Sequence, residues 1–229
     1  AACMALFLEE GAHVMGVGRT ESRLLNTLAA LPSTHSDRAR VVATDISTEQ
    51  GVTQAVQATH AAFGNIDILV HAAGVGYSWD KQSPGTMADV VGTKPEKWEE
   101  VMRINSSAYY LLCRAVVPKM IEAGGGSIVG VASISGFQGL AAAHAYTAAK
   151  AAVINLTRSM EPTATKDRPA EPQPQHAGKE IADDAEVLEL DPKNHEIRIG
   201  TDHHRASHND RRNDHGKRQS IARAIQLAD

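Results

Sequence analysis

The sequence predicts an α/β fold built on a parallel sheet, and two observations carry that expectation. Apolar runs of strand length alternate with segments whose apolar residues recur at helical spacing, in the order helix, strand, helix, strand, helix, strand over residues 2–70. The run from Ile66 to Val70 is an uninterrupted apolar strand, as suits a sheet covered by helices on both faces.

Taken in order, residues 2–10 read as a helix stopped by Gly11, and His13 to Gly18 as a short strand. Thr20 is placed to cap a second helix, in which Leu24, Leu25, Leu28 and Leu31 share a face before Pro32 closes it. Arg40 to Ile46 is the next strand. Ser47 and Gln50 form a capping-box pattern for a helix to about Phe63, with Gly64 after it. Residues 75–92 form a loop bearing glycine and serine. Thr93 and Glu96 pattern the start of a long helix to about Glu122, with Trp98, Met102, Tyr109, Leu112 and Val116 as its expected buried side and three glycines as its stop. Ser127 to Ser133 reads as a buried strand, and an alanine-rich helix carrying Tyr146 and Lys150 ends near Met160.

Beyond Met160 the character changes. No aromatic residue follows Tyr146, and residues 161–229 are rich in Pro, Asp, Glu, Arg, Asn and His. Such a segment buries too little apolar surface to offset its ordering entropy. The expected organisation is therefore one domain over 1–160 and a largely disordered or irregular polar tail over 161–229. Within the tail, Val187–Leu190 and Glu196–Ile199 read as a hairpin turning at Asp191–Asn194, and Ser220 to Ala228 as a short amphipathic helix. His203, His204, His208 and His215 have no apolar surroundings in the sequence, so a solvated segment is expected there and not a metal site.

A chain of 229 residues is long enough for one sizeable core, and its net charge of −4 argues against nucleic acid or anionic membrane as the main partner. Cys3 and Cys113 lie in apolar helical contexts, which suits a reducing compartment better than a disulfide framework. Neither a signal peptide nor an apolar span of bilayer length is apparent, so a cytoplasmic location is expected.

The chemistry concentrates between Ser133 and Lys150. Tyr146 and Lys150 stand four apart on a helix and so share one face. A phenol titrates near about 10, and a fixed ammonium beside it favours the phenolate. A hydroxyl such as that of Ser133, held opposite, could polarise a carbonyl oxygen while the phenol gives or takes the proton. The plain alternative is a solvated Tyr/Lys pair, because so short a pattern recurs by chance.

At these residues the chain resembles the short-chain dehydrogenase/reductase family, and further matches follow in the family's order. They are Asp45-Ile46 after a strand, His71-Ala72-Ala73-Gly74 at the place of an Asn-Asn-Ala-Gly turn, Ile104-Asn105 inside the long helix, and Gly126-Ser127-Ile128-Val129 at the start of the serine strand. The resemblance implies a Rossmann-like, doubly wound parallel sheet and an NAD(P)-dependent oxidoreductase acting on a small alcohol or carbonyl substrate. By the same resemblance Tyr146 is the general acid/base, Lys150 tunes it and holds the nicotinamide ribose, Ser133 binds the carbonyl oxygen, and Asn105 supports a proton relay. Cofactor contacts would come from Arg19, Asp45, Ile46, His71, Ala72, Ala73 and Gly74, with Tyr146 and Lys150. Gly18 stands where an acid would bind a ribose 2′-hydroxyl and Arg19 follows, which favours NADP over NAD. Asp45 reads equally well as a helix-entry residue.

The departures from the family pattern are as informative. His71 and Ala72 replace both asparagines, and a histidine there is expected to be a tolerated turn residue. The family's first strand and glycine-rich turn precede the helix in which this chain starts, so the resemblance implies an incomplete sheet. Its middle position, between 13–18 and 66–70, would be left with two unpaired edges costing about 1–3 kcal/mol per unsatisfied group. The match ends near residue 160, before the strand and lid that would follow. A shifted reading frame, an altered exon or a misassigned gene boundary is the expected origin of the tail, and a non-catalytic remnant with weak or no cofactor binding is the alternative function. The family commonly pairs the helices matching 94–122 and 146–160 across subunits, which implies a dimer or tetramer.

Overall fold

Strand-length apolar runs separated by amphipathic helices lay down the elements of a computed structural model, which describes residues 1–160 and the backbone of three later strands. In order they are α1 (Ala2–Glu9), β1 (His13–Gly18), α2 (Glu21–Ala29), β2 (Ala39–Ala43), α3 (Glu49–Phe63), β3 (Ile68–His71), α4 (Pro95–Met102), α5 (Ala108–Glu122), β4 (Ser127–Val131), α6 (Ile134–Gln138), α7 (His144–Met160), β5 (Ala185–Asp191), β6 (Glu196–Gly200) and β7 (Arg223–Leu227). The sheet order is β2-β1-β7-β3-β4-β5-β6. Neighbours from β2 to β4 run parallel, whereas β5 is antiparallel to β4 and β6 to β5.

Side chains alternate across β1 and sort the helices onto two faces. Val14 packs with Met4 and Leu8 of α1 and, at its margin, Leu28 of α2. Met15 and Val17 point the other way, into a larger core with Val56 of α3, Leu69 of β3, Leu112 and Val116 of α5, and Val153 and Ile154 of α7. Both faces of the sheet are thus covered, as the sequence predicts.

The middle of the sheet departs from expectation. Arg223–Leu227 lies between β1 and β3, where Ile225 is in register with Met15 on one side and Leu69 on the other. A strand there satisfies the inward backbone groups of both neighbours, which a helix over Ser220 to Ala228 could not do. The two edges expected to be open are therefore paired. The expected hairpin forms between β5 and β6, closing with Asp191 opposite Glu196. The tail histidines at 203, 204, 208 and 215 lie outside the described residues.

Three local readings are also corrected. Helix α3 is capped by Thr48, whose hydroxyl accepts from the Gly51 amide at 3.0 Å, because the helix begins at Glu49 and leaves Ser47 one residue before the cap position. Neither Thr20 nor Thr93 caps a helix with its side chain; Lys94 precedes α4, and the Thr93 hydroxyl donates to the Asp89 carbonyl. Between α4 and α5 the helix widens into a π turn, Arg103–Ser107. That turn holds one more residue than an α turn, so the buried face N-terminal to it shifts by one position. Val101 is buried in place of Met102, and Trp98 is 40% exposed.

Gly51 and His71 make the packing testable. A Cβ on Gly51 would stand 1.9 Å from the Asp45 carbonyl oxygen. Helix propensity alone favours alanine there by roughly 0.5–1 kcal/mol, but the clash reverses the sign. Gly51→Ala should lower stability by about 1–3 kcal/mol, read from urea midpoints. His71 is fully buried with its ring 5.2 Å from that of Tyr109, and neither ring nitrogen has a hydrogen-bond partner among the described residues. Burial, and secondarily the charge of Lys150, pushes its pKa down from 6.5 to about 3. The unfolded chain then binds the extra proton between those values, so stability falls as pH falls through that window. The loss from pH 7 to pH 5 should be on the order of 2 kcal/mol, and His71→Leu should abolish it in urea titrations at the two pH values.

Candidate active site

The parallel strands β1, β2, β3 and β4 end on one side of the sheet, and the loops that leave them carry nearly every residue singled out from the sequence. At the β1 and β2 end, a hollow is lined by Val17, Gly18, Arg19, Thr44, Asp45, Ile46, Ser47, Ala73 and Ile104. Strand β2 stops at Ala43 because Asp45 turns the chain. Its Oδ1 accepts from the Ser47 amide at 2.9 Å and from the Ser47 hydroxyl at 2.6 Å. Arg103 donates to the Ser47 hydroxyl and lies 3.9 Å from Asp45 Oδ2. Partial burial works to raise the Asp45 carboxyl, but the Ser47 hydrogen bonds and the charges of Arg103 and Arg19 outweigh it and hold the group below its ordinary value. Asp45 thus shapes the entry to α3 and also forms part of the hollow's wall.

The turn after β3 leads from the hollow to the other end. Ala73 lines the hollow, while Ala72 does not. His71 is the last residue of β3 and not a turn residue, and its imidazole is sealed in the core against Tyr109. It is removed as a side-chain contact for any ligand. A Cβ on Gly74 would lie 2.5 Å from Asn105 Oδ1 and 3.4 Å from Lys150 Nζ, so only glycine lets the backbone pass. Asn105 sits in the π turn, fully buried. Its Oδ1 accepts from the Val75 amide, and its Nδ2 donates to the carbonyls of Val75 and Val101, each at 3.1 Å.

Helix α7 presents Tyr146 and Lys150 one turn apart, with the ammonium 5.9 Å from the centre of the phenol ring. Lys150 Nζ donates to the Val131 carbonyl at the end of β4 at 2.8 Å. Burial pushes its pKa down from 10.5 to about 8. Ser133 stands in extended backbone at the N-cap of α6, two residues past the strand the sequence predicts it to end. Its Oγ accepts from the Ser135 hydroxyl at 2.9 Å, so the buried Ser135 holds Ser133 in place. Gly136 brings α6 against α7, since a Cβ there would be 2.8 Å from the Lys150 carbonyl carbon. Tyr110 is exposed, while Tyr109 is core and shares a hydrogen bond with Thr157.

Several contributors escape sequence reasoning. Trp79 lies in a short 3₁₀ turn, Tyr77–Lys81, inside the loop expected over 75–92. Its indole donates to Glu100 at 2.7 Å and faces the Arg19 guanidinium, 5.1 Å away. Tyr77 of the same turn packs on Tyr146, with ring centres 6.3 Å apart. A lone tryptophan in a polar loop is the only sequence signal for this arrangement. Gly18 at the end of β1, the exposed Arg19 after it and Ala73 line the hollow, and Gly74 admits backbone beside Asn105, features that suit the close approach of a dinucleotide. Among the described residues no cluster suits a metal ion, and no helix is long and apolar enough to cross a membrane.

The chain is similar to known oxidoreductases. The chain is 34% identical over 155 residues to a 2-(R)-hydroxypropyl-CoM dehydrogenase of Xanthobacter autotrophicus, covering 67% of this chain and 59% of that protein. An uncharacterized oxidoreductase of Staphylococcus aureus is 29% identical over 160 residues, 70% of this chain and 64% of the relative. Among solved structures, L-sorbose reductase of Gluconobacter frateurii, complexed with NADPH and L-sorbose, superposes with a TM-score of 0.62 at 32% identity, covering 69% of this chain and 57% of that one. Levodione reductase superposes with a TM-score of 0.63 at 29% identity, covering 69% and 58%. The chain therefore spans less than two thirds of the length of these relatives. The family described as short chain dehydrogenase matches residues 1–168. With its Rossmann-like sheet and these relatives, the chain belongs to the short-chain dehydrogenase/reductase family of oxidoreductases.

Proposed function

We propose that this chain carries the site of an NADP(H)-dependent oxidoreductase that interconverts a small alcohol with its ketone or aldehyde. The observation that supports it most directly is the pairing of Tyr146 with Lys150 on one face of α7, beside the glycine-lined backbone of residues 74–76. A Cβ on Gly76 would already touch Tyr146, at 3.7 Å from Cε2, so the phenol borders the chain that leaves the hollow. The NADPH bound in the sorbose reductase structure is in keeping with this cofactor class.

Bound nicotinamide cofactor would supply or accept the hydride. The protein's part is the proton and the orientation. Tyr146 gives a proton to the substrate oxygen in reduction and takes it back in oxidation. Ser133 donates its hydroxyl to the same oxygen, and the Ser135–Ser133 hydrogen bond fixes which way that hydroxyl can turn. Lys150 places positive charge beside the phenol and is anchored by Val131, so the charge cannot swing away. Asn105 keeps the loop after Gly74 in register with both, and supports the relay by which the proton is replaced. Arg19, Asp45, Ile46, Ala72, Ala73 and Gly74 are the residues that would hold the cofactor, with Arg19 recognising a 2′-phosphate.

Titration of the purified chain with NADPH, followed by nicotinamide fluorescence, should give saturable binding, and a carbonyl panel should then drive its oxidation. Tyr146→Phe should reduce turnover to a few per cent or less while leaving NADPH binding within about two-fold. Higher residual turnover would take the proton from Tyr146. Failure of NADPH to bind at all would favour a non-catalytic member of the family.

A further inference from the structure

Arg19 follows directly on β1 at the rim of the hollow, and its guanidinium lies over the indole of Trp79, 5.1 Å from the ring centre. The indole is itself held from behind. Its Nε1 donates to Glu100 Oε1 at 2.7 Å, and Glu100 Oε2 accepts from Ser83 at 2.8 Å and from Lys97 at 3.4 Å. Partial burial works to raise the Glu100 carboxyl, but the hydrogen bonds from Trp79, Ser83 and Lys97 and the Lys97 charge keep it below its ordinary value, so it stays an ionised acceptor. The loop that carries Trp79 is closed by Asp80, whose Oδ1 accepts from the amides of Gly85 at 2.9 Å and Met87 at 3.2 Å.

An arginine at the end of a strand has a long stem, and ordering it for a ligand costs rotamer entropy. A rigid aromatic face removes part of that cost in advance. Stacking uses the flat face of the guanidinium, whereas an oxyanion binds at its N–H edge, so the two contacts are compatible. The indole also excludes water from one side of the charge, which strengthens whatever the edge binds.

We propose that Trp79, oriented by Glu100, positions Arg19 for the 2′-phosphate of a phosphorylated dinucleotide, so that discrimination of NADP(H) from NAD(H) depends on the loop after β3 as well as on the arginine. This rests on the NADP(H) reading of the site. Trp79 is here a positioning residue, acting through Arg19. Because Tyr77 of the same turn touches Tyr146, loss of turnover in a Trp79 variant would say little. The ratio of two binding constants is the discriminating quantity.

The experiment is calorimetric titration of the full chain with adenosine 2′,5′-bisphosphate and with AMP, which differ only by the 2′-phosphate. The wild-type chain should bind the bisphosphate more tightly, and Arg19→Ala should remove that preference. Trp79→Leu should cut the preference about three-fold, in the range expected of an exposed cation–π contact, with AMP affinity unchanged. Trp79→Phe should keep most of it, Glu100→Ala should lower it about two-fold, and Trp79→Leu should have no effect on the ratio in the Arg19→Ala background. A preference lost in Arg19→Ala but unchanged in Trp79→Leu would overturn the proposal and leave the NADP(H) reading standing. Equal affinities for the two nucleotides in the wild-type chain would overturn both. Should Trp79→Leu fail to fold, Glu100→Ala decides, and an unchanged ratio there counts against the proposal.

Discussion

The buried amide of Asn105 is the contact on which the site depends. Two hydrogen bonds to the peptide groups of Val75 bind the chain leaving β3 to the widened turn between α4 and α5, and a third, to the Val101 carbonyl, fixes the amide on its own helix. Both sides of the bargain are buried, so breaking it would leave polar groups without water, at about 1–3 kcal/mol each. The loop from Gly74 to Tyr77 therefore has one position, and Gly74 is the only residue type that fits it. Everything that follows in the loop, Tyr77 against Tyr146 and Trp79 against Arg19, inherits its place from that amide.

Lys150 is a second constraint of the same kind. A lysine with only 5% exposure is costly as a cation, which is why its pKa drops to about 8. Its hydrogen bond to Val131 ties the first half of α7 to the end of β4, and Gly136 lets α6 close the gap between them. The geometry around the phenol is thus set by a group that the protein holds against a solvation penalty. Core packing alone would favour an apolar side chain at this position.

Much of this was legible from residue order. The helical period places Tyr146 and Lys150 on one face whatever the tertiary structure, and alternation of apolar runs predicts a parallel sheet covered on both sides. The Gly74 turn, Asn105 and Ser133 are recognisable because their residue types stand at family spacing. What escaped was set by contacts distant in sequence or by a change of period. The π turn moves the buried stripe of the long helix by one residue, so an unbroken α period points Trp98 and Met102 at the core where Val101 is buried. Ser47 does not cap α3 because the turn at Asp45, to which its hydroxyl donates, delays the start of the helix to Glu49. No local rule links Trp79 to Glu100 or to Arg19, and His71 reads as a turn residue until the strand is seen to extend through it.

The centre of the sheet has a consequence for biosynthesis. Among the described residues, strands β1 and β3 are joined through Arg223–Leu227, which lies far downstream of both. On the ribosome, the two neighbours emerge long before the segment that joins them, and each waits with a bare row of peptide groups facing inward. A nascent chain in that condition invites foreign strands and folding helpers alike. Closure of the sheet centre waits for that segment, the slow, non-local pairing that high contact order entails.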